Sequence, residues 1–321
     1  LSPKSLAGLV ILASLAAYAP CLGNGFVNLD DYAYVTSLPD FSVGGVAGLF
    51  VRWTEGYHPL ALLSLSVFHH LFGLDPWVHH LVSLLLHLAN SCLVFALVRM
   101  LFRSDGAAFL SALLFGVHPA HVEAVAWVAS RKDVLYAFFY LLGLMAYVRF
   151  ARQPSGGRYA TVVILFLLSV LSKGMAVSFP LSLLAVDFLL ERPLLSRRVW
   201  AEKAPLFLLS LVFGVASVLA QRSSDYMVDV GGMQPLWVRL GYAVCAFGLY
   251  VRGVLWPPWL SMFHPYPAGF QESWQLGYVA WGILLAALWL AALMGVVRTR
   301  RRAAFCLLFF GVNLVLVLQI V

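Results

Sequence analysis

Apolar runs dominate the chain and set the first expectation. Stretches at 5–20, 77–98, 107–117, 134–150, 159–171, 176–190, 204–220, 276–297 and 303–321 are almost free of charge, and short polar stretches separate them. A helix needs about 20 such residues to cross a bilayer, so the pattern predicts about nine spans, the shorter ones extending into their flanks. The first run is taken as a span and not as a signal peptide, because no small-residue cleavage pattern is clear and further spans follow.

Three stretches carry polar detail. Between 59 and 74, Ser66, His69, His70 and Gly73 recur at three- and four-residue steps among leucines, the pattern of a helix lying on the membrane surface. Within 77–98, His80, Ser83, His87 and Asn90 or Ser91 form a stripe that turns toward other helices or a cavity and away from lipid. The run 236–256 is long enough to span, yet it holds Arg239 and Arg252 and leads into proline-rich sequence. As a span it would put Arg298, Arg300, Arg301 and Arg302 outside, so it is laid on the outer face.

Composition agrees. The 321 residues are 62% hydrophobic and 11% charged, against roughly a quarter charged in soluble domains. The expected fold is all-α, a polytopic transmembrane helix bundle with outer-face loops and juxtamembrane helices. It is read as a single domain, 1–321, with an outer-face loop and amphipathic helix at 221–275. The chain begins at Leu1 and ends at Val321 within an apolar run, so it is expected to be a piece of a longer one. The four cysteines are scattered and form neither a disulfide framework nor a CxxC pair.

The net charge of +7 does not point to nucleic acid, because the basic residues cluster at span ends. With the N-terminus cytoplasmic, the inside loops take Lys4, Arg99, Arg103, Arg149, Arg152, Arg158, Arg192, Arg197, Arg198, Lys203 and the arginines of 298–302, most of the 21 lysines and arginines. The outer side receives Asp30, Asp31, Asp40, Glu55, Asp75, Glu123, Asp133, Asp225, Asp229 and Glu272. Any chemistry is therefore expected outside.

Two outer loops hold the candidates. Asp30 and Asp31 stand in GFVNLDDY, 25–32, where a carboxylate can take a proton from an attacking hydroxyl; the dipeptide alone reads first as two solvated acids. The second loop, 118–133, reads HPAHVEAVAWVASRKD. If Pro119 opens a helix, Glu123, Trp127 and Arg131 share one side, with Arg131 a planar fork for phosphate and Lys132 a point charge. A structural ion network between Glu123 and Arg131 is the competing reading. His118, His121 and Glu123 are zinc-ligand types without the HExxH spacing, so no metal site is predicted and a divalent ion is left open. Lys173 and Arg222 lie at outer span ends and, with Arg131 and Lys132, give four cations able to bind a lipid phosphate. Asp187 and Glu191 are expected to pair with Arg192 or its neighbours.

The order FVNLDD at 26–31, YHPL at 57–60, HPAHVEAV at 118–125 with Arg131, then Ser172, Lys173 and Asp187 resembles the membrane domain of the transmembrane and tetratricopeptide-repeat O-mannosyltransferases and their bacterial relatives, in the C-type glycosyltransferase superfamily. The likeness runs from about 23 to 267, and its most specific part is the HPxHxE segment. It implies an inverting enzyme that moves one sugar, mannose or another hexose, from a polyprenyl (dolichyl) phosphate carrier to an acceptor hydroxyl of a protein or glycan. The face would be extracytoplasmic: the periplasmic side of a bacterial inner membrane, or the ER lumen. By the same likeness Asp30 is the base, supported by Asp31. Arg131 and Lys173, then Lys132 and Arg222, would hold the phosphate, with His118, His121, Glu123, Tyr57 and His58 supporting the site. His58 departs from the family, which usually has arginine there. The rival reading is a transporter or flippase for a lipid-linked precursor, with the 80–91 stripe as a polar path.

Overall fold

The computed structural model describes residues 1–36, 38, 42–51, 57–223, 236–257, 273–315 and 318. Every regular element among them is a helix. The chain sorts into two compact units, Leu1–Phe179 with Pro205–Tyr226, and Pro180–Ala204 with Met227–Val321.

In the first unit, α1 (Pro3–Tyr18) starts at Ser2, whose hydroxyl accepts from Ser5 N, and runs into a 3-10 turn, Ala19–Gly23. Short helices α2 (Asp30–Thr36), α3 (Val43–Val51) and α4 (Pro59–Phe72) follow. The long α5 (Pro76–Phe102) has Asp75 accepting from Trp77 N at 3.0 Å and proline in its first turn, a strong start signal. Then come α6 (Asp105–Val117), α7 (Val122–Ala126), α8 (Arg131–Arg152) and α9 (Gly156–Ser172). Helix α5 is central, packing against α1, α6 and α8, while α9 lies along α8.

Lipid gives helices no hydrophobic reason to associate, so close approach through small residues does that work. A Cβ on Gly116 of α6 would overlap Ser14 Oγ of α1 and sit 3.2 Å from Ser91 Oγ of α5. The stripe of α5 is used here as its pattern predicts. His80, Ser83, His87, Asn90 and Ser91 are all buried. His87 Nε2 donates to the Gly116 carbonyl at 3.0 Å, and Asn90 Nδ2 to the Val134 carbonyl at 2.8 Å.

The second unit contains most of α10 (Phe179–Leu189), the first turns of α11 (Arg197–Ser223), α12 (Leu236–Leu255), α13 (Ser273–Val296) and α14 (Arg301–Leu314). A Cβ on Gly282 would overlap the Val244 carbonyl, so only glycine lets α12 and α13 meet there. Asp187 pairs with Lys203 at 2.5 Å, both side chains fully buried, and with Arg192 at 3.1 Å, which also binds Glu202 at 2.8 Å. Asp187 thus pairs as expected, whereas Glu191 reaches Arg301.

The span count differs from the expected nine. Among the described residues, five helices are long and apolar enough to cross a membrane: Pro3–Gly23, Pro76–Phe102, Val128–Arg152, Arg197–Ala220 and Val279–Val296. A sixth arises if Asp105–Val117 and Pro119–Ala126, bent by 51°, form one span. Gly156–Ser172 and Gly174–Leu189 are apolar but shorter, and α14 has 14 residues. An apolar run in the sequence does not reveal where the helix breaks. The chain is nonetheless a multi-pass integral membrane protein. Helix α4 forms near its expected bounds, but Ser66 turns inward with Ala61 and Leu65 while His70 is exposed. Of the expected loop at 221–275, residues 221–223 close α11 and 236–255 form α12; the rest, apart from 256–257 and 273–275, lies outside the described residues, as do Asp40, Glu55, Asp225, Asp229 and Glu272.

The first unit has two distinct ends. At one, Arg152 of α8 donates to the Met100 carbonyl of α5 at 2.7 Å, and Arg99 pairs with Asp105 at 2.6 Å. At the other lie the end of α1, the starts of α5 and α8, and the end of α9. The loops with the candidate chemistry converge on this second end.

Candidate functional site

Leaving α1, the chain returns to the bundle at Asp31 in the first turn of α2. The Asp31 side chain is fully buried and accepts from two backbone N–H groups, Val27 at 2.8 Å and Ala129 at 2.7 Å. This clasp fixes the first loop to the 3-10 turn Val128–Ser130 of the second. Tyr34 and Val35 reinforce it by packing with Leu65, Val128 and Ala129. Burial pushes the Asp31 carboxyl above the usual range, the Val27 and Ala129 bonds and then His80 pull it back, and the neighbouring Asp30 charge adds a smaller upward push.

Asp30 is only partly buried and has no hydrogen-bond or ion-pair partner among the described residues. Its i,i+4 neighbour on α2 is Tyr34. The Tyr34 hydroxyl accepts from Lys132 Nζ at 3.4 Å, and that ammonium lies 4.8 Å from the ring centre, a cation–π contact. Tyr34 also stacks on His58, with centroids 5.2 Å apart. His58 is 7% exposed, and its imidazole is pushed down to about 3 by burial, with Lys132 and Lys173 adding to the effect. It is therefore neutral near pH 7 and supplies packing, not charge.

Arg131 sits elsewhere than expected. Its guanidinium is fully buried, donates from Nη2 to the His79 carbonyl at 2.8 Å, lies 3.2 Å from His79 Nδ1, and rests over the Phe68 ring. Nε and Nη1 have no hydrogen-bond partner among the described residues. The shared helical side of Glu123, Trp127 and Arg131 does not form. Trp127 is extended, at φ −107° and ψ 122°, so α7 stops at Ala126 and a separate 3-10 turn leads into α8. Glu123 is exposed, and no ion pair joins it to Arg131 among the described residues.

Glu123 joins a different group. A pocket of about 300 Å³ is lined by His87, Asn90, Phe115, His121, Glu123, Asp133, Tyr136 and Lys173, among others. Lys173 is ion-paired to Asp133 across its wall. Asp133, Lys173 and Lys132 are all close enough to act electrostatically on Glu123. The His121 ring lies 4.5 Å from Phe115 and 5.6 Å from His87, centroid to centroid. His118 shapes the turn: its Nδ1 accepts from Ala120 N at 3.2 Å, and its carbonyl accepts from the Tyr18 hydroxyl at 2.5 Å. Tyr57 donates its hydroxyl to the Phe50 carbonyl at 3.2 Å, and burial raises its phenol. Arg222 lies in the last turn of α11, but its side chain lies outside the described residues. Among the described residues no three His, Cys, Asp or Glu side chains are grouped to hold a metal ion.

Tyr34 and Asn90 were not singled out by sequence as site residues. Tyr34 was findable as the i+4 partner of Asp30, and Asn90 as a member of the α5 stripe. Together the end of the unit offers an acid without a partner among the described residues, two lysines and a polar pocket. These are the parts needed to accept a proton and steady a departing anion.

The family model described as "Dolichyl-phosphate-mannose-protein mannosyltransferase" matches residues 58–220, just over half of the chain. The chain belongs to this family. Among curated relatives, the human protein O-mannosyl-transferase TMTC1 is 34% identical over 183 residues, 52% of this chain and 21% of that protein. Drosophila melanogaster Tmtc1 is 32% identical over 191 residues, 56% and 22%, and human TMTC2 is 39% identical over 95 residues, 30% and 11%. The alignments thus span about a fifth or less of these relatives' length. No solved structure matches the chain. The family match takes in His58, the second loop and Lys173, and Asp30 and Asp31 precede it.

Proposed function

We propose that this protein is a glycosyltransferase that moves a hexose, mannose first, from a polyprenyl-phosphate carrier to an acceptor hydroxyl such as that of a protein Ser or Thr. Family membership supports the reaction class. The observation that carries the assignment of residues is the Asp31 clasp on Ala129 N, with Tyr34 on Lys132, which joins the loop holding Asp30 to the loop holding Lys132. The working end is the extracytoplasmic one, because Arg99, Arg103, Arg149 and Arg152 gather at the other.

Asp30 accepts the proton of the acceptor hydroxyl as its oxygen attacks the anomeric carbon, and the sugar–phosphate bond breaks with its electron pair leaving on the phosphate. Lys132 steadies that anion, with Lys173, already paired to Asp133, and Arg222 in reserve. Arg131, committed to the His79 carbonyl, holds the starts of α5 and α8 in register, and its Nε and Nη1, without partners among the described residues, are further donors near the site. A single displacement inverts the sugar carbon. Against the transporter reading, His87 and Asn90 of the stripe spend hydrogen bonds on α6 and α8.

The test is purified protein in lipid nanodiscs with polyprenyl-phosphate mannose and a Ser/Thr-rich peptide or glycan acceptor, read by mass spectrometry. The expected result is one added hexose per event and release of polyprenyl phosphate. Absence of transfer from a panel of polyprenyl-phosphate sugars, by protein that is folded, overturns the reading.

A further inference from the structure

We propose that the pocket beneath Glu123 is the subsite for the sugar ring of the donor, with the Asn90 carboxamide and the Glu123 carboxylate reading its hydroxyls. The inference rests on the transfer reading and names the part of the substrate this pocket takes. Its volume of about 300 Å³ lies at the lower end of the roughly 300–1,000 Å³ of ligand pockets. That is room for one pyranose ring and not for a polyprenyl chain.

Charge excludes the phosphate from the same space. The wall carries two carboxylates, Glu123 and Asp133, against one ammonium, Lys173, already paired to Asp133. A phosphate entering there would meet net negative charge, whereas a neutral polyol would find acceptors and a donor together. Asn90 gives the most specific sign. Its Nδ2 is committed to the Val134 carbonyl, which fixes the amide, and its Oδ1 in the same buried side chain has no donor. Buried acceptors rarely stay unpaired, and a sugar hydroxyl supplies the missing N–H equivalent, an O–H. Glu123 likewise has no hydrogen-bond or ion-pair partner among the described residues. Phe115 and His121, with ring centroids 4.5 Å apart, form an aromatic wall for the C–H face of a pyranose. Lys132 adjoins the pocket residue Asp133 in sequence, acts electrostatically on Glu123 and reaches Tyr34, so a ring held here leaves its phosphate beside Lys132.

Two probes that differ only in the sugar test this: farnesyl-phosphate mannose and farnesyl phosphate, each titrated against the full chain in nanodiscs. Glu123→Ala is expected to weaken the mannose-bearing probe about tenfold or more, the scale of a lost hydrogen bond to a charged group, and to leave the sugarless probe unchanged. Glu123→Gln restores part of the difference. Asn90→Ala, used if its thermal midpoint shows a folded protein, acts in the same direction. Equal weakening of both probes, or of neither, overturns the sugar subsite while wild-type binding upholds the donor reading. Wild-type protein that binds neither probe overturns the donor reading itself.

Discussion

Replacing Asp31 by asparagine keeps the shape of the side chain and removes half of its function. The native carboxylate takes Val27 N on one oxygen and Ala129 N on the other, at 2.8 and 2.7 Å. An asparagine offers one carbonyl oxygen and turns its NH2 group toward the second backbone N–H, leaving a buried donor facing a donor. Such a loss costs about 1–3 kcal/mol. Part of this is offset, because burial works against the Asp31 charge and a neutral amide escapes that cost. The net expectation is about 1–2 kcal/mol of local destabilisation, a factor of about 5–30 in opening. Hydrogen exchange in nanodiscs reads this directly at the Val27 and Ala129 amides. Exchange there should quicken by about that factor, while α5 and α6 around Gly116 keep their protection. Unchanged exchange at both amides in Asp31→Asn protein would refute the clasp and the union of the two loops that depends on it.

Other consequences follow from single contacts. His58 should make stability depend on pH: its imidazole is pushed from 6.5 down to about 3 in the fold, so the unfolded chain binds the extra proton between those values, and stability present above pH 6.5 is lost as pH falls toward 3. His58→Phe should flatten that slope in thermal melts. Gly116→Ala forces a Cβ onto Ser14 Oγ and should cost about 1–3 kcal/mol, with Ser14→Ala restoring most of the melting temperature. Lys203→Met strands the buried Asp187 charge and should cost about 3–5 kcal/mol, whereas the double change with Asp187→Leu should recover much of it.

The all-helical fold and the polar stripe of α5 were legible because apolar length and three- and four-residue spacing are local signals. The number of spans was not, since α6 turns by 51° into the segment beyond Pro119 and a break between two apolar helices leaves little trace in composition. The second loop misled for the same reason. Proline at 119 does start a helical turn, but Trp127 goes extended, and Glu123 and Arg131 part company. Arg131 reads in the sequence as a planar fork for phosphate, and the His79 carbonyl to which it donates lies 52 residues away, a pairing no local pattern reveals. The acid pair divides by the same logic: backbone N–H groups from two loops converge on Asp31 and not on Asp30, which only the fold distinguishes.

The rate of hexose transfer by Asp30→Asn, with the Asp31 clasp verified by hydrogen exchange, tests the central claim most directly. A general base contributes about 10²–10⁴-fold, so transfer from polyprenyl-phosphate mannose should fall by that much while donor binding is kept. Turnover equal to the wild type would show that another group takes the proton and that the first loop is only a structural strap.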